Sequence, residues 1–137
     1  MQGYFYPTKN KANMKPVLIA ISFAIMSLGS FAQSEMEFES ESHDFGDVKF
    51  EVPATYKFEF TNEGSAPLII SGAEGSCGCT VPEYPKAPIM PGKKGEITVT
   101  YDAKSKGPFQ KSVTVNSNDP ESPTTLRIKG NVVDSDL

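Results

Sequence analysis

Apolar and polar residues alternate along several short stretches of this chain. The clearest runs from Tyr56 to Thr61, where Tyr56, Phe58 and Phe60 are separated by polar residues. A period of two predicts a β-strand with one buried face. Shorter alternations of the same kind cover Met36–Glu41, Leu68–Ser71, Glu96–Asp102, Lys111–Asn116 and Thr124–Val133. No stretch after residue 32 shows a helical period, so the pattern predicts an all-β protein.

Clusters of glycine, proline, asparagine and aspartate separate these stretches and predict turns. They are Asp44–Asp47, Asn62–Ser65, Pro91-Gly92, Gly107-Pro108 and Asn118–Pro120. Phe45, within the first cluster, is expected to plug the core. About seven short strands joined by turns predict a β-sandwich, with a barrel as the alternative.

The first 32 residues have the pattern of an export signal. Three lysines precede an apolar run from Val17 to Leu28, and Ser30-Phe31-Ala32 is a small-x-small cleavage site. Met14 is an alternative start for the same signal. A membrane anchor is the competing interpretation, but the stretch is shorter than the roughly 20 residues that a spanning helix needs. We therefore expect residues 1–32 to be removed and residues 33–137 to form one exported domain, periplasmic or at the cell surface, without stable membrane insertion.

Charge excludes some partners of that domain. All 17 acidic residues but only 10 of the 13 basic ones follow residue 32, so the remaining chain carries a net charge of −7. Nucleic acids and anionic lipid surfaces require clustered basic residues and are not expected partners. The acidic run Glu35, Glu37, Glu39, Glu41, Asp44 and Asp47 is interpreted as a solvated strand edge. It lacks the regular ligand spacing of a calcium loop.

The chain has two cysteines, Cys77 and Cys79, separated by Gly78. In an exported protein an even cysteine count suggests a disulfide. Residues at i and i+2 of an extended chain project to one side, and Gly78 would let the backbone bend inward between them, with Gly75 loosening the approach. Two other interpretations stay open: a redox-active or metal-binding dithiol, and two reduced thiols packed as small apolar groups.

Other chemistry has little support in the sequence. A zinc site usually needs four Cys or His ligands, and the chain adds only His43 to its two cysteines. Copper(I) bound by Cys77 and Cys79 is the weaker alternative, with Met90 on a nearby loop. The sequence shows no pair of carboxylates and no combination of a nucleophile with a base. Catalysis of the Ser–His–Asp or Cys–His type would depend wholly on His43, the one histidine. We expect no enzyme activity and no cofactor.

The order of several motifs resembles one family. These are Phe60-Thr61-Asn62-x-Gly64-x-x-Pro67-Leu68-Ile69-Ile70, Ser76-Cys77-Gly78-Cys79-Thr80, Pro91-Gly92, Ile97-Thr98-Val99-Thr100-Tyr101, Gly107, Val113-Thr114-Val115-Asn116-Ser117-Asn118 and Leu126-x-Ile128-x-Gly130. The chain resembles the exported bacterial domain of unknown function 1573 from about Phe45 to Val133. That family is similar to the immunoglobulin-like domains grouped with Hydin and major sperm protein. The resemblance implies an immunoglobulin-like sandwich that acts as a non-catalytic module.

The function expected from the sequence is protein binding or assembly with an unknown protein or cell-envelope partner. Loops on a rigid sandwich are where recognition usually occurs. The predicted partner-binding loop consists of Ser76, Cys77, Gly78, Cys79, Thr80, Pro82, Tyr84 and Pro85. The alternative function is a small redox-active or copper-handling protein centred on the two cysteines.

Overall fold

The computed structural model describes residues 31–134. The predicted export signal, except for its last two residues, therefore lies outside the described residues. The described chain contains eight strands: β1 (Met36–Phe38), β2 (Ser42–Lys49), β3 (Ala54–Asn62), β4 (Ile70–Gly75), β5 (Thr80–Glu83), β6 (Lys94–Tyr101), β7 (Gly107–Ser117) and β8 (Thr124–Val133).

The strands form two four-stranded sheets, and the predicted β-sandwich is confirmed. One sheet has the order β1-β3-β6-β5 and the other the order β2-β8-β7-β4. Neighbouring strands are antiparallel, except that β2 runs parallel to β8. β8, the last strand of the described residues, is thereby paired on both sides, by β2 and β7. The four edges of the sandwich are β1, β5, β2 and β4.

The core between the sheets contains nearly all the residues that the alternation assigned to it; Tyr56 is only half-buried, and Val48, Ala103 and Phe109 are further core residues that it did not assign. Phe58 and Phe60 are 1% and 0% exposed, whereas Lys57 and Glu59 between them face solvent. Fully burying an apolar side chain of this size contributes about 1.5–3 kcal/mol relative to leaving it exposed. The other inward positions predicted from the sequence are also buried: Met36, Phe38, Leu68, Ile70, Ile97, Val99, Tyr101, Val113, Val115, Leu126, Ile128 and Val132.

Two predicted chain breaks are wrong. The chain does not turn between Asp44 and Asp47; β2 continues through a register shift between them. Gly46 has a φ of +63°, a conformation that glycine adopts at little cost, so the strand bulges and resumes its pairing. Gly107, with a φ of +104°, begins β7, and Pro108 follows it opposite Asn131. Proline is tolerated near the start of a strand.

The strand count also differs from the expected seven. The alternation missed β2, because of its bulge, and β5, because Pro82 and the prolines after it indicated a loop. β4 begins at Ile70 and extends to Gly75, later than predicted, while Leu68 forms an isolated bridge with Ile89. Phe45 packs against the core but stays half-buried, so it is not the full plug that we expected.

Candidate functional site

The two cysteines lie in the turn that joins β4 to β5, and so joins an edge of one sheet to an edge of the other. Backbone hydrogen bonds fix this turn to both sheets. The N–H of Ser76 donates to the carbonyl of Ser112 at 2.8 Å, and the N–H of Asp102 donates to the carbonyl of Cys79 at 3.0 Å. Within the turn, the Thr80 N–H donates to the Cys77 carbonyl at 3.2 Å. The turn is therefore a constrained connection between the sheets.

The sulfur atoms of Cys77 and Cys79 lie together in this turn. Their Cα atoms are 5.2 Å apart, a separation that a disulfide permits. The hydroxyl of Thr80 lies 3.7 Å from one sulfur and 3.8 Å from the other. Both cysteines are half-buried, and Cys79 packs against the core. The arrangement is compatible with the predicted disulfide, which stays a prediction.

The two glycines of this turn have different roles from those that the sequence suggested. A Cβ atom on Gly75 would overlap the carbonyl oxygen of Thr80 and lie 3.1 Å from the carbonyl oxygen of Cys77. A Cβ atom on Gly78 would meet nothing within 4 Å, and Gly78 does not have a positive φ. Gly75, at the end of β4, is therefore the residue that permits the close approach. Gly78 is not sterically required.

The predicted partner-binding loop does not form a single exposed surface. Ser76 and Gly78 are exposed, and Pro82, Tyr84 and Pro85 are half-buried, like the cysteines. Thr80 is only 2% exposed and faces inward at the start of β5, so its side chain is closed to a partner. Tyr84 carries the ammonium group of Lys86 over its ring, 3.4 Å from the centroid. A cation–π contact of this kind favours one orientation of the ring.

Three exposed apolar residues that the alternation did not predict lie on the segment of chain that contains this turn. Ile69 is 47% exposed, Val81 54% and Met90 53%, and they are three of the five exposed large hydrophobic residues in the described chain. All three lie on residues 68–90, which we name the edge segment. Its ends are joined by two backbone hydrogen bonds between Leu68 and Ile89, at 2.9 and 2.8 Å. The edge segment therefore contains β4 and β5, is closed at its base by these hydrogen bonds, and has the cysteine turn at its tip. It forms one side of the sandwich.

The edge segment contains two acidic residues, Glu74 and Glu83, and one basic residue, Lys86. Glu74 on β4 and Glu83 on β5 are exposed, and neither forms an ion pair within residues 31–134. Tyr101 pairs with Thr80 beside the turn. Burial, together with the nearby carboxylate of Asp102, raises the pKa of Tyr101 above its usual value.

His43 lies in β2. Its ring stacks on Tyr56 with centroids 3.6 Å apart and meets the edge of Phe45 at 4.7 Å. The acidic residues before and after His43 are exposed. Within residues 31–134 no group of three His, Cys, Asp or Glu side chains is arranged to hold a metal ion. In the same part of the chain, no helix has the length and apolar character needed to cross a membrane.

Comparison with known proteins identifies the family and the fold. Residues 36–132 match the family described as "Protein of unknown function (DUF1573)", so the match begins before the Phe45 that the sequence suggested and includes β1. No curated protein matches the chain.

Among solved structures, the chain is similar to a protein of unknown function from Porphyromonas gingivalis W83. The two are 20% identical with a TM-score of 0.65, over 73% of this chain and 48% of that one. It is also similar to the ASH/PapD-like domain 7 of human CEP192, with 10% identity and a TM-score of 0.59, over 75% and 88% of the two chains. The VesB protease of Vibrio cholerae shares 16% identity with a TM-score of 0.58, over 72% and 32%.

These likenesses confirm the predicted immunoglobulin-like sandwich, and at such low identity they show the fold alone. The chain spans about half the length of the Porphyromonas protein and about a third of the protease. The fold occurs in a protease as well as in an ASH/PapD-like domain. Function therefore has to be argued from the surface of this chain.

Proposed function

The chain belongs to the family described as "Protein of unknown function (DUF1573)", and we propose that it is an exported, non-catalytic module that binds another protein or takes part in an assembly. The edge segment is the contact surface in this proposal. The observation that carries it is the concentration of exposed apolar side chains there, at Ile69, Val81 and Met90. Contiguous exposed apolar surface often marks an interaction site, and the bridge between Leu68 and Ile89 holds Ile69 and Met90 at the same end of the edge segment.

The way in which the edge segment is held supports the same proposal. It is closed at its base by the Leu68–Ile89 hydrogen bonds and anchored at its tip by Asp102 and Ser112. A surface that is already ordered loses little conformational entropy when a partner binds. The edge segment therefore combines apolar contact area with a backbone that does not need to be ordered on binding.

Photo-crosslinking in the producing cell tests the proposal. A photoreactive amino acid replaces Val81 on the edge segment, and a matched variant carries it at Val52, which is 51% exposed between β2 and β3. We expect a discrete crosslinked partner from position 81 and none from position 52. Equal products from both positions, or products only from position 52, would contradict the proposal.

Export is part of the proposal and has its own test. Removal of the signal after Ala32 would leave Gln33 as the first residue, and N-terminal sequencing of the protein from the cell envelope or medium shows whether it does. The alternative function uses Cys77 and Cys79 for redox or copper chemistry. Two free thiols with stoichiometric copper in protein taken from its native compartment would favour that alternative.

A further inference from the structure

The sandwich has four edge strands, and three of them carry features that prevent another strand from pairing. An edge strand presents unpaired N–H and C=O groups that can pair with a further strand. β1 has only three residues. β2 is interrupted by the bulge between Asp44 and Asp47, and both carboxylates are exposed. β5 has four residues, one of which is Pro82, and more prolines follow it.

The fourth edge, β4, has fewer such features. It contains six residues without proline, lysine or aspartate. Its register shift lies at its beginning, between Ile70 and Gly72, and the pairing with β7 is regular from Gly72 to Gly75. The side chains of Ser71, Gly72 and Ala73 are small and leave the strand accessible. β4 is therefore the edge on which an added strand meets the least obstruction.

The hydrogen bonds of β4 alternate between β7 and the free edge. The Ser76 N–H donates to Ser112 in the ladder with β7. In an antiparallel pair every second residue makes these bonds, and the residues between them direct their N–H and C=O groups to the other side. Ala73 and Gly75 are such residues. Within residues 31–134 neither forms a backbone hydrogen bond to a segment outside its sheet.

We infer that β4 binds an extended segment of a partner protein as an additional strand of its sheet, and that this segment alternates apolar with basic residues. The inference rests on the proposed function and specifies its partner. The apolar positions follow from the half-buried residues Ala73, Tyr84 and Ile89, which pack at the margin of the core on this side. Apolar side chains of an added strand would cover that margin.

The basic positions follow from charge. Glu74 is exposed on β4 without an ion pair in the described chain. The whole chain has a net charge of −4, and the part after residue 32 is more acidic. A second copy of the same chain would bring like charges together, whereas a basic segment would be attracted. Main-chain pairing supplies binding energy in this mode, and side chains supply specificity.

The test measures the binding of synthetic peptides to the full chain as the cell produces it. The probe is a nine-residue peptide in which lysine and valine alternate, and the comparison peptide replaces lysine with glutamate. A third peptide has the lysine–valine sequence with N-methyl groups on two adjacent central residues, which removes a hydrogen-bond donor from each edge of the strand. Amide exchange by NMR reports the site: we expect slower exchange at Ala73 and Gly75 with the first peptide, and unchanged exchange in β1, β2 and β5.

Two matched charge-reversal variants test whether β4 prefers a bound segment with basic side chains. Glu74→Lys should weaken binding of the lysine–valine peptide about tenfold and favour the glutamate–valine peptide. Glu83→Lys makes the same change on the β5 edge and should leave affinity for both peptides nearly unchanged. Both residues are exposed, so neither variant is expected to unfold the protein.

The inference is overturned if the lysine–valine peptide does not protect β4, if the N-methylated peptide binds as well as its parent, or if the two reversals act alike. It can fail while the proposed function stands, namely when crosslinks arise from the edge segment but the peptides do not pair with β4. If no partner crosslinks from the edge segment in cells, the proposed function fails instead.

Discussion

Replacing Gly75 by alanine should destabilise the domain, although the same change at Gly78 should not. A methyl group on Gly75 would overlap the carbonyl oxygen of Thr80 and lie 3.0 Å from its carbonyl carbon. Thr80 cannot move away freely. Its side chain is buried, its N–H donates to the Cys77 carbonyl, and it pairs with Tyr101 in the neighbouring strand. The end of β4 or the cysteine turn must therefore shift.

The expected loss follows from two opposing effects. Forcing an extra methyl group into a packed site costs about 1–3 kcal/mol. Alanine also restricts the unfolded chain more than glycine does, which returns about 0.4–1 kcal/mol. We therefore expect Gly75→Ala to reduce the free energy of unfolding by about 1–2 kcal/mol.

Gly78→Ala is the matched control, because it is the same chemical change in the same turn. No atom lies within 4 Å of its added methyl group, and its φ is not positive. Only the unfolded-state effect remains, so this variant should be unchanged or more stable by up to about 1 kcal/mol. Urea unfolding of both variants with equal m-values measures the difference. Equal losses, or a larger loss at Gly78, would refute the assignment of the close approach to Gly75.

Three further predictions concern the core and the turn, all measured by urea unfolding. Phe58→Ala should cost about 3–5 kcal/mol and Glu59→Ala no more than about 0.5 kcal/mol, and equal shifts would contradict the facing of β3. Asn62→Ala should cost more than about 2 kcal/mol, since the buried amide donates to the carbonyls of Ala66 and Ile89 at 2.8 and 2.9 Å; a neutral result would refute its structural role. Reducing the predicted disulfide should change stability by at most about 1–2 kcal/mol, because the closed loop is very short. Intact mass counts the free thiols before and after reduction. Complete unfolding on reduction would show that the cysteine turn contributes more to stability than so short a closed loop predicts.

The side-chain period predicted which faces are buried, because a strand packed on one side must alternate. β8 has the bounds, Thr124–Val133, that the alternation indicated. The errors arose where glycine or proline was taken as a chain break. Gly46 produces a bulge inside β2, and Gly107 and Pro108 begin β7. Local sequence alone does not distinguish a bulge from a turn, since the distinction depends on whether β8 continues to pair on the far side.

The sequence predicted the position of the cysteine turn but not how its residues pack. The Cys77-Gly78-Cys79 motif located the turn, but the two glycines are distinguished only by the position of Thr80, which comes from the other sheet. The exposure of Val81 could have been inferred from the alternation that buries Thr80 beside it. The exposure of Ile69 and Met90 at one end of the edge segment could not have been inferred from the alternation, because it depends on the pairing of Leu68 with Ile89.

The most direct test of the account is amide hydrogen exchange on the protein isolated together with its native partner, compared with the protein alone. If the edge segment is the contact surface, protection on binding should concentrate within residues 68–90 and include the edge of β4. Exchange in β2, at the opposite edge of the sheet that contains β4, should be the same in both samples. Protection confined to β2, with unchanged exchange in the edge segment, would contradict the account.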